Sequence, residues 1–362
     1  NIINLHTMLK IENNKISLKN KPVLISEISG NHNGKLDLAL KLIRKAAKYG
    51  TDLIKLQTYQ ASDLTLNSTR SEFYVKHKKS LWKKKNLYKL YTKGSTLKDW
   101  HYKLFQEAKK YKVTCFTSIF NENDIVFLEN LKVPAYKIAS FECLHYPLIK
   151  KVIKTKKPIL ISTGLCNLVE IKELVNFLKK NNCKNYALLK CTSSYPAITN
   201  DLNLNTISDM RKNFKCEIGY SDHTVGFNAA IGAIHQGASF IEKHICLNKN
   251  IGIDSKFSMK VEDIPKIKNF INEAYLSKGK IFYGASKNEL PNLQFRRSIY
   301  VSKNIKKGEK FTKFNIRIIR PGLGLEPKYY WDILGKKSLA NIKFATPLKW
   351  KYIKSLLKFK NK

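Results

Sequence analysis

The chain has 362 residues, of which 43% are hydrophobic and 11% aromatic, so it can bury a substantial core and is not a disordered chain. Its 67 basic and 27 acidic residues give a net charge of +40, a balance found in nucleic-acid-binding proteins. The lysines are spread over every segment, however, and no recognised nucleic-acid motif accompanies them. We therefore expect no specific nucleic-acid partner.

Neither a membrane span nor a disulfide framework is expected. No apolar run approaches the roughly 18 residues that cross a bilayer, and the first residues lack the apolar core of a secretory signal. The seven cysteines are scattered singly, without a CxxC pair. We expect a cytoplasmic protein that does not associate with membranes and whose cysteines are mostly small core residues.

Eight short apolar runs, each followed by an amphipathic stretch, predict an α/β fold of the (β/α)8 TIM-barrel class. Continuous apolarity suits strands that are buried on both faces of a parallel sheet. Eight strand–helix units is the number that a TIM barrel contains. The predicted strands cover residues 23–28, 52–57, 113–118, 135–140, 158–163, 186–191, 217–222 and 239–244.

The first predicted helix lies in KLDLALKLIRKAAKYG, residues 35–50. Its spacing places Leu36, Leu40, Ile43 and Ala47 on one stripe, and Gly50 is its stop signal. Residues 60–98 interrupt the alternation and predict a long elaborated loop after the second strand.

The composition changes after Leu290, where short apolar runs and Gly/Pro turns predict a separate small domain with one helical turn near Lys328–Leu334. We therefore expect four parts along the chain. They are an N-terminal extension or hairpin (1–22), the barrel (23–284), a linker (285–297) and the small domain (298–356).

Every predicted strand ends in polar side chains, and in a TIM barrel these ends form the catalytic face. Lys55 and Lys137 lie inside apolar strands, where a buried charge must find a partner. Together with hydroxyl donors they would surround an anion as a phosphate requires. The hydroxyls are those of Ser118, Ser140, Ser162 and Ser221. Each serine taken alone could equally cap a helix.

His223 and His244 follow or end the seventh and eighth strands. Neighbouring strands lie about 4.8 Å apart, so both imidazoles can reach one ion. Two imidazoles with oxygen ligands and open positions suit a divalent metal such as Mn or Mg, and zinc less well. Each histidine could instead be a capping or core residue, and that alternative stays open here.

The motifs at these strand ends resemble those of the sialic acid synthases, which condense phosphoenolpyruvate with an N-acetylated amino sugar. In chain order they are EISGNHNG, IKLQTY, VPAYKIASFE, ILISTG, LLKCTSSYP, GYSDHT, FIEKH and RPGLGLEPKY. The resemblance implies a TIM barrel followed by an antifreeze-like (SAF) domain. It also implies a homodimer in which each small domain covers the mouth of the partner's barrel.

The resemblance also implies a role for each candidate residue. Lys55, Ser118, Lys137, Ser140, Ser162, Ser193 and Ser221 would bind phosphoenolpyruvate. His223 and His244 would hold the divalent metal. Gln57, Tyr195, Glu242 and Asp254 would face the sugar, together with Arg320 of the small domain.

Glu27 ends the first strand in LISEISGNHNG and is the expected catalytic carboxylate. It would stabilise positive charge that develops on the enol, or orient and deprotonate the water that adds there. The turn behind it, residues 31–34, is expected to supply small side chains and amide donors that let a ligand approach closely. An ordinary strand–helix turn is the alternative.

Within the family, the stretches LWKKKNLYKLY, KIASFE, LLKCTSSYP and RRSIYV resemble the pseudaminic acid synthases most. The neuraminate branch usually carries Asn where Ser193 stands. We therefore expect a transferase that joins phosphoenolpyruvate to a 2,4-diacetamido-2,4,6-trideoxy hexose of the altrose type and releases phosphate. An N-acetylneuraminate or legionaminate synthase is the alternative, and a basic nucleic-acid-binding protein is the remote one.

Two positions depart from the family pattern. Ile119 stands where the family has the proline of Ser-Pro-Phe, and Ile253 where it has that of Gly-Pro-Asp. Because neither change removes a functional group, we expect an active enzyme with looser loops at these two places.

Overall fold

The computed structural model describes residues 8–77 and 80–353. The chain divides into two compact units between Gly279 and Lys280. The predicted linker 285–297 lies in the second unit and contains the 3-10 helix Leu290–Phe295. Residues 1–7 of the predicted extension and 354–356 of the predicted small domain lie outside the described residues, and the four predicted domain limits stay predictions.

Eight parallel strands of the first unit close into a barrel, which confirms the predicted fold class. Consecutive strands pair with one another, and the eighth pairs with both the seventh and the first. The strands are β3 (Val23–Glu27), β4 (Leu53–Thr58), β5 (Thr114–Ile119), β6 (Tyr136–Ile138), β7 (Ile159–Ser162), β8 (Tyr186–Cys191), β9 (Glu217–Asp222) and β10 (Phe240–Cys246). They are preceded by the antiparallel hairpin of β1 (Leu9–Ile11) and β2 (Asn14–Ile16) and followed by the short β11 (Met259–Lys260).

Helices connect the barrel strands and cover the outer face of the barrel. In the described residues of the first unit they are α1 (Leu36–Lys48), α2 (Ala61–Leu64), α3 (Leu87–Gly94), α4 (Lys98–Lys110), α5 (Asp124–Asn130), α6 (Tyr146–Lys154), α7 (Leu168–Lys180), α8 (Asn205–Phe214), α9 (Asn228–His235) and α10 (Ile264–Lys278). The predicted elaborated loop after the second strand contains α2 and α3, so it is more regular than the sequence pattern indicates.

The buried stripe of α1 is rotated from the predicted one. Ala39, Leu42, Ile43 and Ala46 are fully buried, whereas three of the four predicted positions are only half-buried. The prediction was based on the spacing of the large apolar side chains. Where a helix packs closely on a sheet, small alanine side chains are favoured at the positions that face the sheet, and here these are Ala39 and Ala46. The helix and its stop near Gly50 are otherwise as predicted.

The hairpin closes the N-terminal end of the barrel. Its side chains Leu9, Ile11 and Ile16 are buried in one cluster with Val23 and Phe240, the first residues of two barrel strands. An apolar floor of this kind leaves the carboxyl ends of the strands as the end of the barrel where polar side chains can meet a ligand.

The second unit has its own small core. The antiparallel pair β12 (Ser298–Val301) and β13 (Ile316–Ile319) packs with α11 (Tyr330–Ile333) around Ile299, Phe311 and Ile342. The helical turn predicted near residues 328–334 is confirmed. Throughout residues 8–77 and 80–353, no helix is long and apolar enough to cross a membrane.

Candidate active site

The register of the parallel strands brings the predicted polar side chains together at the carboxyl ends of the barrel. Glu27 of β3 lies between His244 of β10 and Lys55 of β4. Ser118 of β5 lies opposite Lys137 of β6. Because paired residues on neighbouring strands lie side by side, these groups form one continuous site.

Two lysines and two glutamates form a buried ion network. Lys55 Nζ contacts a carboxylate oxygen of Glu27 and lies 3.6 Å from Glu242 Oε1. Lys137 Nζ lies 3.7 Å from the same Glu242 oxygen. None of the four side chains is more than 4% exposed. Since two positive and two negative charges are buried together, each offsets part of the desolvation cost of the others.

Three of the predicted serines complete this network. Each lysine donates a hydrogen bond to one hydroxyl, and Glu242 accepts one from a third. The bonds run from Lys55 Nζ to Ser118 Oγ (2.9 Å), from Lys137 Nζ to Ser162 Oγ (2.6 Å) and from Ser221 Oγ to Glu242 Oε1 (3.1 Å). Two of the hydroxyls predicted to surround an anion therefore accept from the two ammonium groups, and a third holds the carboxylate that lies near both lysines.

The network moves the pKa values of its two carboxyl groups in opposite directions. Burial raises the pKa of Glu27 by more than the neighbouring Lys55 lowers it. Burial also acts to raise the pKa of Glu242, but Lys137 and Lys55 outweigh it and lower that pKa. Two carboxyl groups whose pKa values are shifted in opposite directions suit different roles, and Glu27, with the raised pKa, is the better proton acceptor.

Ser140 and Ser193 meet over Gly164, in the loop after β7. A Cβ added at Gly164 would lie 2.3 Å from Ser193 Oγ and 2.7 Å from Ser140 Oγ. The Gly164 backbone N–H donates to Ser140 Oγ at 3.2 Å. Only glycine leaves room for both hydroxyls at this point. The loop after β6 and the loop after β8 therefore present Ser140 and Ser193 side by side.

His223 and His244 also lie together, with ring centroids 5.3 Å apart. His223 Nδ1 lies 3.0 Å from the Thr192 carbonyl oxygen, so Nδ1 is the donor of this bond and Nε2 is the nitrogen left to meet an ion. Burial is the largest cause that lowers the pKa of His244, and it favours the neutral imidazole. Its Nδ1 is buried and has no hydrogen-bond partner within the described residues.

These two imidazoles fit a divalent metal ion. Both are buried and each offers an unprotonated nitrogen, as metal ligation requires. Among residues 8–77 and 80–353, no group of three or more His, Cys, Asp or Glu side chains is arranged to hold a metal. The protein would therefore supply two nitrogen ligands and leave the remaining positions to water or substrate oxygens, the arrangement of an open catalytic site rather than a structural one.

The turn behind Glu27 has a role different from the one predicted. The Ser29 backbone N–H donates to Glu27 Oε1 at 2.7 Å, and the Ser29 hydroxyl bonds to Asp254. The side chain of Asn31 is fully buried and donates to the Ile245 carbonyl and the Ser258 hydroxyl, both at 2.8 Å. Thus Ser29 orients the two carboxylates, and Asn31 holds the loop after β10 instead of meeting a ligand.

The remaining predicted sugar contacts differ in their placement. Tyr195 packs against His223 with ring centroids 4.5 Å apart, so it borders the histidine pair. Asp254 is buried, with Oδ2 3.9 Å from His244 Nδ1. Gln57 is half-buried on β4, opposite Ser118. Arg320 is exposed in the second unit.

Both residues that depart from the family pattern are packed in the structure. Ile119 is the last residue of β5, is fully buried and pairs with Thr58. A Cβ added at Gly30 or at Gly94 would lie within 2.7 Å of the Ile253 side chain. Isoleucine therefore extends a strand in one case and fills the space over two glycines in the other, and the expectation of looser loops stays a prediction.

Glu142, which sequence reasoning missed, belongs to this site. It follows β6 in the quoted stretch KIASFE, and its Oε2 is buried without a hydrogen-bond partner in the described residues. Burial raises its pKa to about 7, against the opposing effect of Lys137. An acid two residues after KIAS, just past the end of a barrel strand, is the signal that identifies it.

Comparison with known proteins decides the family. A family model described as the NeuB family matches residues 42–282, and an SAF domain model matches residues 296–354. The chain belongs to the NeuB family. This NeuB chain is 40% identical to pseudaminic acid synthase of Campylobacter jejuni over 91% of its own length and 96% of that protein. It is 35% identical to N,N'-diacetyllegionaminic acid synthase of the same organism, over 89% of its length and 97% of that protein.

A solved structure supports the same family. The N-acetylneuraminic acid synthetase of Leptospira borgpetersenii, crystallised in complex with citrate, matches the NeuB chain with a TM-score of 0.71 and 25% identity. The match covers 80% of this chain and 96% of the Leptospira chain. The predicted membership of the sialic acid synthase family is therefore confirmed.

Glu142 gives the NeuB chain a pH-dependent stability. A carboxyl group whose pKa is raised on folding destabilises the fold once it ionises, so stability is greatest at low pH and is lost as the pH rises through about 7. Glu142→Gln should gain stability over the wild type by about 1 to 2 kcal/mol more at pH 8 than at pH 5. Chemical denaturation at the two pH values measures the difference.

The control for this test is Glu173→Gln on α7, where the carboxylate is exposed. It should follow the wild type at both pH values. An equal response of the two variants would show that Glu142 ionises as an exposed glutamate does.

Proposed function

We propose that this chain condenses phosphoenolpyruvate with a 2,4-diacetamido-2,4,6-trideoxy hexose of the altrose type, the reaction of a pseudaminic acid synthase. The chain is a transferase that forms a carbon–carbon bond and releases phosphate. The observation that carries the proposal is the pair of buried lysines, Lys55 and Lys137, each of which bonds to a serine hydroxyl beside two histidines. The higher identity to the pseudaminic acid synthase than to the legionaminic acid synthase supports the choice of sugar.

Phosphoenolpyruvate would bind at the two lysines. Its phosphate and carboxylate would take charge-assisted hydrogen bonds from the ammonium groups and from the serine hydroxyls around them. The network is already charge-balanced by Glu27 and Glu242, so an arriving anion adds negative charge to it. That charge would raise the pKa of Glu27 further and make this carboxylate a stronger base in the complex.

The aldehyde of the open-chain sugar would lie at the histidine pair. A divalent metal bound there, Mn or Mg, would polarise the aldehyde oxygen as a Lewis acid. His223 and His244 would hold it, and the bond from His223 Nδ1 to the Thr192 carbonyl keeps the ring oriented with Nε2 free. Phe257, whose ring centroid lies 5.0 Å from that of His244, limits the access of bulk water to this pair.

The bond-forming step would join C3 of the enol to the aldehyde carbon, which leaves positive charge at C2. Glu27 lies beside this position, where its carboxylate stabilises the charge and accepts a proton from the water that adds to C2. The backbone N–H of Ser29 holds Glu27 Oε1 in place during this step. The former aldehyde oxygen would take up the proton that Glu27 removed from the water. The tetrahedral adduct then loses phosphate by cleavage of the C–O bond, and the C2 hydroxyl proton leaves with the phosphate as the ketone forms.

The sugar would be held by Gln57, Tyr195 and Asp254. Glu242 was predicted among these contacts, but its lysine and serine partners favour a role between the two substrates. Glu142 would add a further hydrogen bond, because its buried Oε2 needs a partner.

A homodimer with exchanged small domains would complete the site. Ile281, Phe282 and Tyr283 are consecutive apolar residues that are 91%, 58% and 92% exposed in the single chain. Apolar side chains clustered in this way are expected to be covered by a partner. The Arg320 guanidinium of one chain would then donate a hydrogen bond to the N-acetyl oxygen of the sugar in the other.

A cytoplasmic location and the lack of a specific nucleic-acid partner stay predictions.

A panel of sugars tests the function. Phosphate release from phosphoenolpyruvate should be fastest with 2,4-diacetamido-2,4,6-trideoxyaltrose and slower with the corresponding mannose isomer and with N-acetylmannosamine. The product should have a nine-carbon backbone, and its mass should exceed that of the sugar by the mass of one pyruvic acid. Faster turnover of the mannose isomer would point to a legionaminate synthase, and faster turnover of N-acetylmannosamine to a neuraminate synthase.

The same phosphate-release assay tests whether the enzyme requires the proposed metal. Chelation should abolish turnover and added Mn or Mg should restore it, whereas His244→Ala should stay inactive with metal present. Full turnover by the chelated enzyme would contradict the metal assignment.

Mixed dimers test the exchanged domains. Arg320→Ala and Glu27→Ala should each be inactive, since each removes one part of every site. After subunit exchange, half of the dimers contain one chain of each kind, and each of these has one complete site if the domains are swapped. About a quarter of the sites should therefore recover activity. Exchange without any recovery would show that Arg320 does not act on the partner's barrel.

A further inference from the structure

Trp82 lies in the elaborated segment 60–98, and none of the roles above uses it. Its ring packs against that of Tyr195 with centroids 5.5 Å apart and planes tilted by 48°. Its indole N–H donates to the carbonyl oxygen of Ile253 at 3.2 Å. The side chain is half-buried, so part of the ring is still open to a ligand.

Two contacts fix this segment over the loop after β10. One is the indole hydrogen bond to Ile253. The other is the packing of the Ile253 side chain over Gly94, the last residue of α3 in the same segment. Ile253 precedes Asp254, which is a proposed sugar contact. The position of the indole is therefore coupled to the loops that border the histidine pair.

The distances place Trp82 at the far end of a sugar whose aldehyde meets the histidines. The ring of Tyr195 is 4.5 Å from that of His223 and 5.5 Å from that of Trp82. A six-carbon chain with bonds of about 1.5 Å spans about 6 Å from C1 to C6. Carbons 4 to 6 would then lie along the open edges of the packed Tyr195 and Trp82 rings.

We propose that Trp82 is a specificity-determining residue that contacts the C6 methyl and the C4 acetamido methyl of the sugar. The inference rests on the proposed function, since it assumes that the aldehyde lies at the histidine pair. The indole N–H is already bonded to Ile253, so the open part of the ring offers apolar contact and no hydrogen bond. N-acetylmannosamine carries hydroxyl groups at both positions, and their burial against an apolar face is unfavourable.

The test compares three variants with the wild type on two sugars, the diacetamido-trideoxy-altrose and N-acetylmannosamine. Trp82→Ala should lower kcat/KM for the first sugar by about 10- to 100-fold, mainly through KM, because an apolar wall is lost. It should leave the KM for phosphoenolpyruvate unchanged and reduce the preference over N-acetylmannosamine by a similar factor. Trp82→Phe, which keeps an aromatic face, should retain most of the preference.

Leu81→Ala is the matched control, because Leu81 is the neighbouring residue and is 42% exposed. It should behave as the wild type. Thermal denaturation of all three variants shows whether the fold is intact. Trp82 serves only to hold the loop if Trp82→Ala lowers kcat/KM for both sugars by one factor, or if the KM for phosphoenolpyruvate rises in step.

The outcomes separate this inference from the function on which it rests. A wild-type enzyme that does not turn over the diacetamido sugar contradicts the proposed function and the inference with it. A wild-type enzyme that prefers this sugar, with an unchanged preference in Trp82→Ala, contradicts the inference alone.

Discussion

The contact between Lys55 and Glu27 is the interaction on which the organisation of the site depends. A lysine and a glutamate inside a barrel wall lose nearly all of their hydration, and neither could stay charged there alone. Glu242 and Lys137 extend the pair into a balanced group of four. Each ammonium group is paired with a carboxylate, so the positions of all four groups are set before a substrate arrives. Electrostatic catalysis requires such preorganisation.

The barrel and its loops have different tasks around this group. Rigid strands carry the charges, and their register sets which groups are neighbours. The loops carry the residues proposed to meet the sugar. The Ser29 hydroxyl donates to the Asp254 carboxylate and Asn31 Oδ1 accepts from the Asp254 backbone N–H, so the first loop is tied to the last. This division explains how related enzymes can keep one chemistry at the strand ends and accept different sugars at the loops.

Much of the fold and the grouping of the buried lysines with serines could be predicted from the sequence, because both follow from local patterns. A buried parallel strand is a continuous apolar run, so all eight strands could be located, and a lysine within such a run must have a polar partner. Other features depend on tertiary contacts that a linear pattern does not contain. The buried role of Asn31, the fit of Ile253 over Gly30 and Gly94, and the contact of Trp82 with Tyr195 each join residues more than 60 positions apart. Arg320 lies in the other unit, and its proposed role depends on the proposed dimer.

The most direct measurement is the affinity for phosphoenolpyruvate of Lys137→Met, which keeps the length of the side chain and removes its charge. Calorimetric titration should show binding weakened by about 10- to 100-fold, since a charge-assisted hydrogen bond to the anion is lost. Lys190→Met is the control, because Lys190 is a half-buried lysine of β8 that bonds only a backbone carbonyl within the described residues. Its affinity should match that of the wild type. Equal affinity in Lys137→Met and the wild type would contradict the assignment of the buried lysines to phosphoenolpyruvate.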